Sequence, residues 1–75
     1  MEKFIKNFAN QFDDTEISEF KPETNFRDLE EWSSLTALAV LNMIEKKYNI
    51  IIKADEMKKA NTIQELFDLL QLKIK

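Results

Sequence analysis

The 75-residue chain has no cysteine, no histidine and no glycine, and its one proline is Pro22. Without Cys, no disulfide can staple the fold, and nothing marks an oxidising compartment. Without His, the usual metal ligand and the usual general base at neutral pH are missing. Neither a Ser-His-Asp nor a Cys-His arrangement can therefore be assembled within the chain. Carboxylates remain for acid–base chemistry, but a single small helical layer offers little room for a closed pocket, so a chain that is not itself an enzyme is expected. The lack of Gly suits mostly helical segments and leaves Asn25, Asn49 and Asn61 as the substitutes for positive φ in turns.

Long apolar runs are also absent. The longest, Leu35 to Ile44, is broken by Thr36 and Asn42 and is too short to span a bilayer. The segment Met1-Glu2-Lys3-Phe4-Ile5-Lys6-Asn7 alternates charge with apolar residues and lacks the apolar block of a signal peptide. A soluble, cytoplasmic protein without membrane insertion is expected. The length fits one domain, residues 1–75, with a core of marginal size.

Charge is present but uneven. Between Asp13 and Glu31 eight acids face only Lys21 and Arg27, a net of −6 within a chain whose total is −3. Such a loop repels nucleic acid, and no basic stripe elsewhere offsets it. A basic protein partner is the better expectation.

Apolar periodicity outlines the helices. Phe4, Ile5, Phe8 and Phe12 share one face of a first helix from about Lys3 to Phe12. From Asp13 to Glu31 no period is sustained. Ile17, Phe20, Phe26, Leu29 and Trp32 are spaced as pins that fasten this long connection to the core. A second helix, about Ser34 to Lys47, is apolar almost all round, which predicts a central position touching neighbours on several sides, with simple central burial and the wall of an apolar cavity both open. Tyr48 to Lys53 has local strand character but no partner strand, and is read as an extended connection burying Ile50 or Ile52. Asp55 is expected to cap a short helical turn, Glu56 to Lys59. Thr62-Ile63-Gln64-Glu65 is a capping box that opens the last helix, followed by Leu66, Phe67 and Leu70 at helical spacing. Leu72 to Lys75 are expected to fray. The predicted fold is all-α: a small antiparallel bundle of three main helices plus one short helix, with a long loop between the first two. Met43 and Met57 read as core filler, Trp32 as a loop pin, and Lys46, Lys47, Lys58 and Lys59 as a solvated face, with phosphate-gripping by Lys58 or Lys59 the less favoured alternative.

The junction Glu31-Trp32-Ser33-Ser34-Leu35-Thr36, where the acidic loop meets the apolar helix, carries the chemistry. A serine there has its hydroxyl at the positive end of a helix, a position suited to a phosphate ester. Ser33 is the natural N-cap.

Together with Phe26-Arg27-Asp28-Leu29-Glu30-Glu31 before it, and with Ile52 to Glu56 and Asn61 to Leu66 after it, this junction resembles the acyl carrier proteins over nearly the whole chain. The resemblance implies that Ser34, followed by Leu35, matches the serine that receives 4′-phosphopantetheine from coenzyme A. The reactive thiol then belongs to the prosthetic group, as a chain without Cys requires. It further implies an acyl pocket among Leu38, Leu41, Ile44, Ile52 and Leu66. The partners implied are a phosphopantetheinyl transferase and enzymes that load and transfer acyl or aminoacyl groups in a specialised lipid, polyketide or related pathway; a monomer is expected. Two departures stand out. Ser33 replaces the usual Asp of the motif, which removes a charge that a basic transferase grips. The outer face of the central helix carries no acid before Glu45, so recognition is expected to shift to Glu30 and Glu31, or to apolar contacts through Leu35 and Ala39. The alternative function is an unmodified helical interaction module of the same fold that binds a partner through its acidic loop.

Overall fold

The computed structural model describes residues 1–73. Four α-helices follow in order: α1 (Glu2–Ala9), α2 (Ser34–Tyr48), α3 (Ala54–Met57) and α4 (Ile63–Lys73). Phe4 meets Tyr48 at one end of the α1–α2 pair and Phe12 meets Trp32 at the other, so the two helices run antiparallel. Asn7 Nδ2 donates to the Tyr48 hydroxyl at 3.1 Å across the same pair. Phe4 also packs on Phe67, with 5.4 Å between ring centroids, and this brings α4 against α1. The all-α bundle of three main helices and one short one is therefore the fold.

α1 stops at Ala9, three residues before the predicted end. The N–H groups of Gln11 and Phe12 donate to carbonyls three residues back, tightening the chain into a turn that still buries Phe12. The connection from Asp13 to Ser33 holds two single 3₁₀ turns, Ile17–Glu19 and Phe26–Asp28. Phe20 and Phe26 are buried, while Leu29 and Trp32 pack on the core from its edge. Trp32 lies 4.7 Å from Phe26 and nearly parallel to Phe8, centroid to centroid. Such pairs add about 0.5–1.5 kcal/mol each beyond the area they bury. Ile17 is 54% exposed and is not a pin; the 3₁₀ turn that carries it buries none of its three residues.

The loop is held to the bundle through its backbone as well. Asn25 and Thr62 form an isolated antiparallel bridge. The Phe26 N–H donates to the Asn61 carbonyl at 3.2 Å, and in return the N–H groups of Ile63 and Gln64 donate to the carbonyls of Thr24 and Pro22. The predicted capping box is present: Glu65 N–H donates to Thr62 Oγ1, and Thr62 N–H to Glu65 Oε1, each at 3.1 Å. The first three N–H groups of α4 thus all have acceptors inside the protein, leaving none for a ligand.

Glu31 closes the loop at its other end. Its carboxylate accepts a hydrogen bond from the Thr15 hydroxyl and from the N–H groups of Asp13 and Asp14, at 3.2 and 3.0 Å. These donors, Thr15 foremost, hold the carboxyl below its ordinary value of 4.5. A carboxyl depressed in the folded state stabilises the fold above its unfolded value, and that contribution is lost as pH falls through the folded one. In acid titrations Glu31→Gln is expected to give a shallower loss of stability below pH 4.5 than the wild type, read by circular dichroism. Superimposable acid limbs would show that the latch contributes nothing.

Several local expectations change. α3 begins at Ala54 and is closed by Glu56, whose carboxylate accepts from the Lys53 N–H at 3.1 Å, rather than capped by Asp55. Asn49 alone among the described non-glycine residues has positive φ. Asn25 instead caps the second 3₁₀ turn by accepting from the Arg27 N–H, and Asn61 offers its carbonyl to Phe26. Ile50 and Ile52 are both buried. Leu72 and Lys73 are helical, with Lys73 Nζ 2.7 Å from Glu56 Oε2; Ile74 and Lys75 lie outside the described residues. No described helix is long and apolar enough to cross a membrane.

Candidate functional site

The start of α2 is built by Ser33. Its backbone is extended, and its Oγ accepts from the Thr36 N–H at 3.4 Å while Thr36 Oγ1 accepts from the Ser33 N–H at 2.7 Å. This is a capping box with Thr in the place usually taken by Glu or Gln. The cap serves the third N–H of the helix and the Ser33 carbonyl serves Ala37. Ser34 and Leu35 are left without an acceptor for their N–H groups among the described residues. Unlike the head of α4, this one can still receive an anion. Ser34 is the first residue of the helix and is exposed, and its hydroxyl has no hydrogen-bond partner among the described residues.

A groove of about 410 Å³ begins beside that hydroxyl. One wall is a single stripe of α2: Ser34, Ala37, Leu38 and Leu41, at i, i+3, i+4 and i+7. Facing it are Ala54, Met57 and Lys58, the corresponding stripe of α3 and its C-cap. Trp32, Ser33 and Arg27 complete the lining. The volume is within the range of small-ligand sites. Leu38 is 55% exposed, so the groove is apolar yet open along its length.

Of the two readings its composition left open, α2 follows the second: one side is buried and another walls a groove. Val40, Met43 and Ile44 face the core, whereas Leu35 is 80% exposed at the opposite side. Of the five residues expected at an acyl pocket, Leu38 and Leu41 line the groove. Ile44, Ile52 and Leu66 are packed in the core and are not among its lining residues. The physical reason is core packing: these three side chains are covered by the bundle, at 0–4% exposure, which leaves no part of them to line an open groove.

Among the expected recognition residues, Glu30 and Leu35 are exposed and Glu31 is engaged by the turn after α1. Ala39 lies in a second groove with Met43, Lys46 and Lys47.

Sequence reasoning did not find Arg27. Its Nε donates to the Ala60 carbonyl at 3.2 Å, and its Nη2 to the carbonyls of Met57 and Ala60 at 3.0 and 3.1 Å. The guanidinium also sits over the Phe26 ring. No local pattern announces such a contact, because its partners lie about thirty residues away. The Ala54/Met57/Lys58 stripe was missed as well, because the short helix was expected to start only at Glu56; its signal was the i, i+3, i+4 spacing of these residues.

A family profile for the phosphopantetheine attachment site matches residues 3–70, from the start of α1 to near the end of α4. No curated protein and no solved structure matches the chain significantly. The groove suits the group that the family carries: a hydroxyl in the open that could bear it, free N–H groups at the helix start that would favour its phosphate, and an apolar wall for its arm. Domains of this family do not catalyse; they present a bound group to the enzymes that act on it. The chain belongs to the phosphopantetheine attachment site family and is a carrier protein whose prosthetic group is covalently attached 4′-phosphopantetheine.

Proposed function

We propose that Ser34 is the attachment residue. On this reading the chain, a single domain and not itself an enzyme, carries an acyl or aminoacyl thioester for a specialised lipid, polyketide or related pathway. The observation that carries this is the shared stripe: the exposed Ser34 hydroxyl, Ala37, Leu38 and Leu41 line one groove, so an arm tethered at its head can lie along an apolar wall.

In the loading step the Ser34 Oγ bonds to the pantetheine-side phosphorus of coenzyme A. The phosphoanhydride bond breaks, 3′,5′-adenosine bisphosphate leaves, and the serine proton goes to a base of the transferase. Once bound, the group supplies the thiol that the chain lacks. Ser33 serves the cap, Leu38 and Leu41 shelter the cargo, and Ile44, Ile52 and Leu66 support that wall from the core.

Recognition falls to Glu30 and Leu35, which stand exposed beside Ser34 in sequence, with Ala39 one turn further on. Glu31 contributes by shaping the loop as well as by its charge.

The test is intact mass after incubation with coenzyme A and a broad-range phosphopantetheinyl transferase. A gain of one phosphopantetheine is expected in the wild type and in Ser33→Ala, and none in Ser34→Ala. In the same assay Glu30→Gln should raise the KM of the transferase more than Glu45→Gln does. No gain with any transferase would assign the chain to the alternative, an unmodified module that binds a basic partner through its acidic loop.

A further inference from the structure

The groove at Ser34 has an electrostatic character opposite to that of the chain. The protein is acidic overall, and the loop leading to α2 is strongly so. Yet the residues lining the groove include Arg27 and Lys58 and no Asp or Glu. Neither cation is neutralised. Arg27 donates only to carbonyls, which satisfy its N–H groups without cancelling its charge. Among the described residues the one ion pair joins Lys73 to Glu56, so Glu56, the acid two residues before Lys58, is held on the side of α4. Lys58 is exposed at the end of α3, with a flexible stem long enough to follow a ligand in the groove.

We propose that this groove is selective for an anionic group brought by the prosthetic arm, with Lys58 as the specificity-determining residue and Arg27 as a fixed second charge. The inference rests on the attachment at Ser34 proposed above and adds the chemistry of what the arm presents. The anion has two possible sources: a carboxylate at the free end of a dicarboxylic acyl cargo, or the phosphodiester next to Ser34. A charge pair at an exposed site changes an equilibrium about two- to five-fold, and high salt suppresses it.

The experiment loads the full chain from succinyl-, butyryl- or unacylated coenzyme A with a broad-range transferase, after which NMR follows the Leu41 and Met57 side chains. Docking of the arm displaces these signals in proportion to the docked fraction. If the cargo carboxylate is the anion, the displacement is about two- to five-fold larger for the succinyl form than for the butyryl form. That ratio falls to one in Lys58→Gln and reverses in Lys58→Glu. If the phosphodiester is the anion, all three loaded forms dock alike and Lys58→Gln weakens each by a similar factor. Lys59→Gln, one residue away but outside the groove, is the control. Loading at Ser34 with Lys58→Gln no different from Lys59→Gln in any form overturns this proposal alone. Failure to load at all overturns the attachment reading and this one with it.

Discussion

Phe26→Ala is expected to remove most of the stability of the domain at 25 °C. Phe26 is fully buried, its ring centroid 4.7 Å from that of Trp32 and 5.7 Å from that of Phe8. Truncating a buried Phe costs about 3–5 kcal/mol through lost burial and the cavity left behind. A single-core domain of this size has a total stability on the order of 5 kcal/mol. The position is critical because it joins three parts of the molecule. Its ring enters the α1 aromatic cluster, its backbone N–H reaches the Asn61 carbonyl before α4, and its face supports the Arg27 guanidinium. Urea melts followed by circular dichroism supply the measurement, with Ile17→Ala in the same loop as comparison. Ile17 is exposed, so its truncation should stay within about 0.5 kcal/mol. Equal losses at the two positions would mean that the loop is not pinned as described.

The second large effect is expected at Arg27. Removing the three donations to Met57 and Ala60 by Arg27→Gln should cost about 1.5–3 kcal/mol, the range for hydrogen bonds from a charged group. In a domain this small, that corresponds to a Tm lower by roughly 10 °C. Arg27→Lys should recover little, because an ammonium cannot present donors in the planar fork that meets two carbonyls at once. The loss should also be local in character. α3 is a single turn held at its far end by Arg27, so amide exchange at Lys58, Lys59 and Ala60 should quicken more than at Val40 or Ile44. A variant with unchanged Tm and unchanged exchange at Ala60 would show that α3 is held by packing alone.

These two positions also mark how far the sequence could be read. Ser33 as the cap of α2 and the Thr62–Glu65 box of α4 were legible because cap and partner lie three residues apart. The exposed serine at the helix head was legible for the same reason. Phe20 and Phe26 as loop pins followed from their apolar character, but Ile17, with the same character, faces water. Composition alone does not decide which side of a 3₁₀ turn meets the core. The α2 pattern left two readings open, since an apolar helix can be buried all round or can keep one side as the wall of a cavity. Here the side that begins at Ser34 is kept open.

By itself the sequence determined the class of fold and the serine at the head of α2, because each depends on local spacing; that a thiol is borrowed from a prosthetic group followed from the family resemblance and not from composition. Only the tertiary structure decided what surrounds that serine. The groove has α2 on one side and α3 on the other, and Arg27 ties the acidic loop to the end of α3 from about thirty residues away. The Glu31 latch and the Asn25–Thr62 bridge are likewise long-range pairings. Contacts of this kind form when whole helices dock, and docking depends on the summed shape of the core, which no short window of residues encodes.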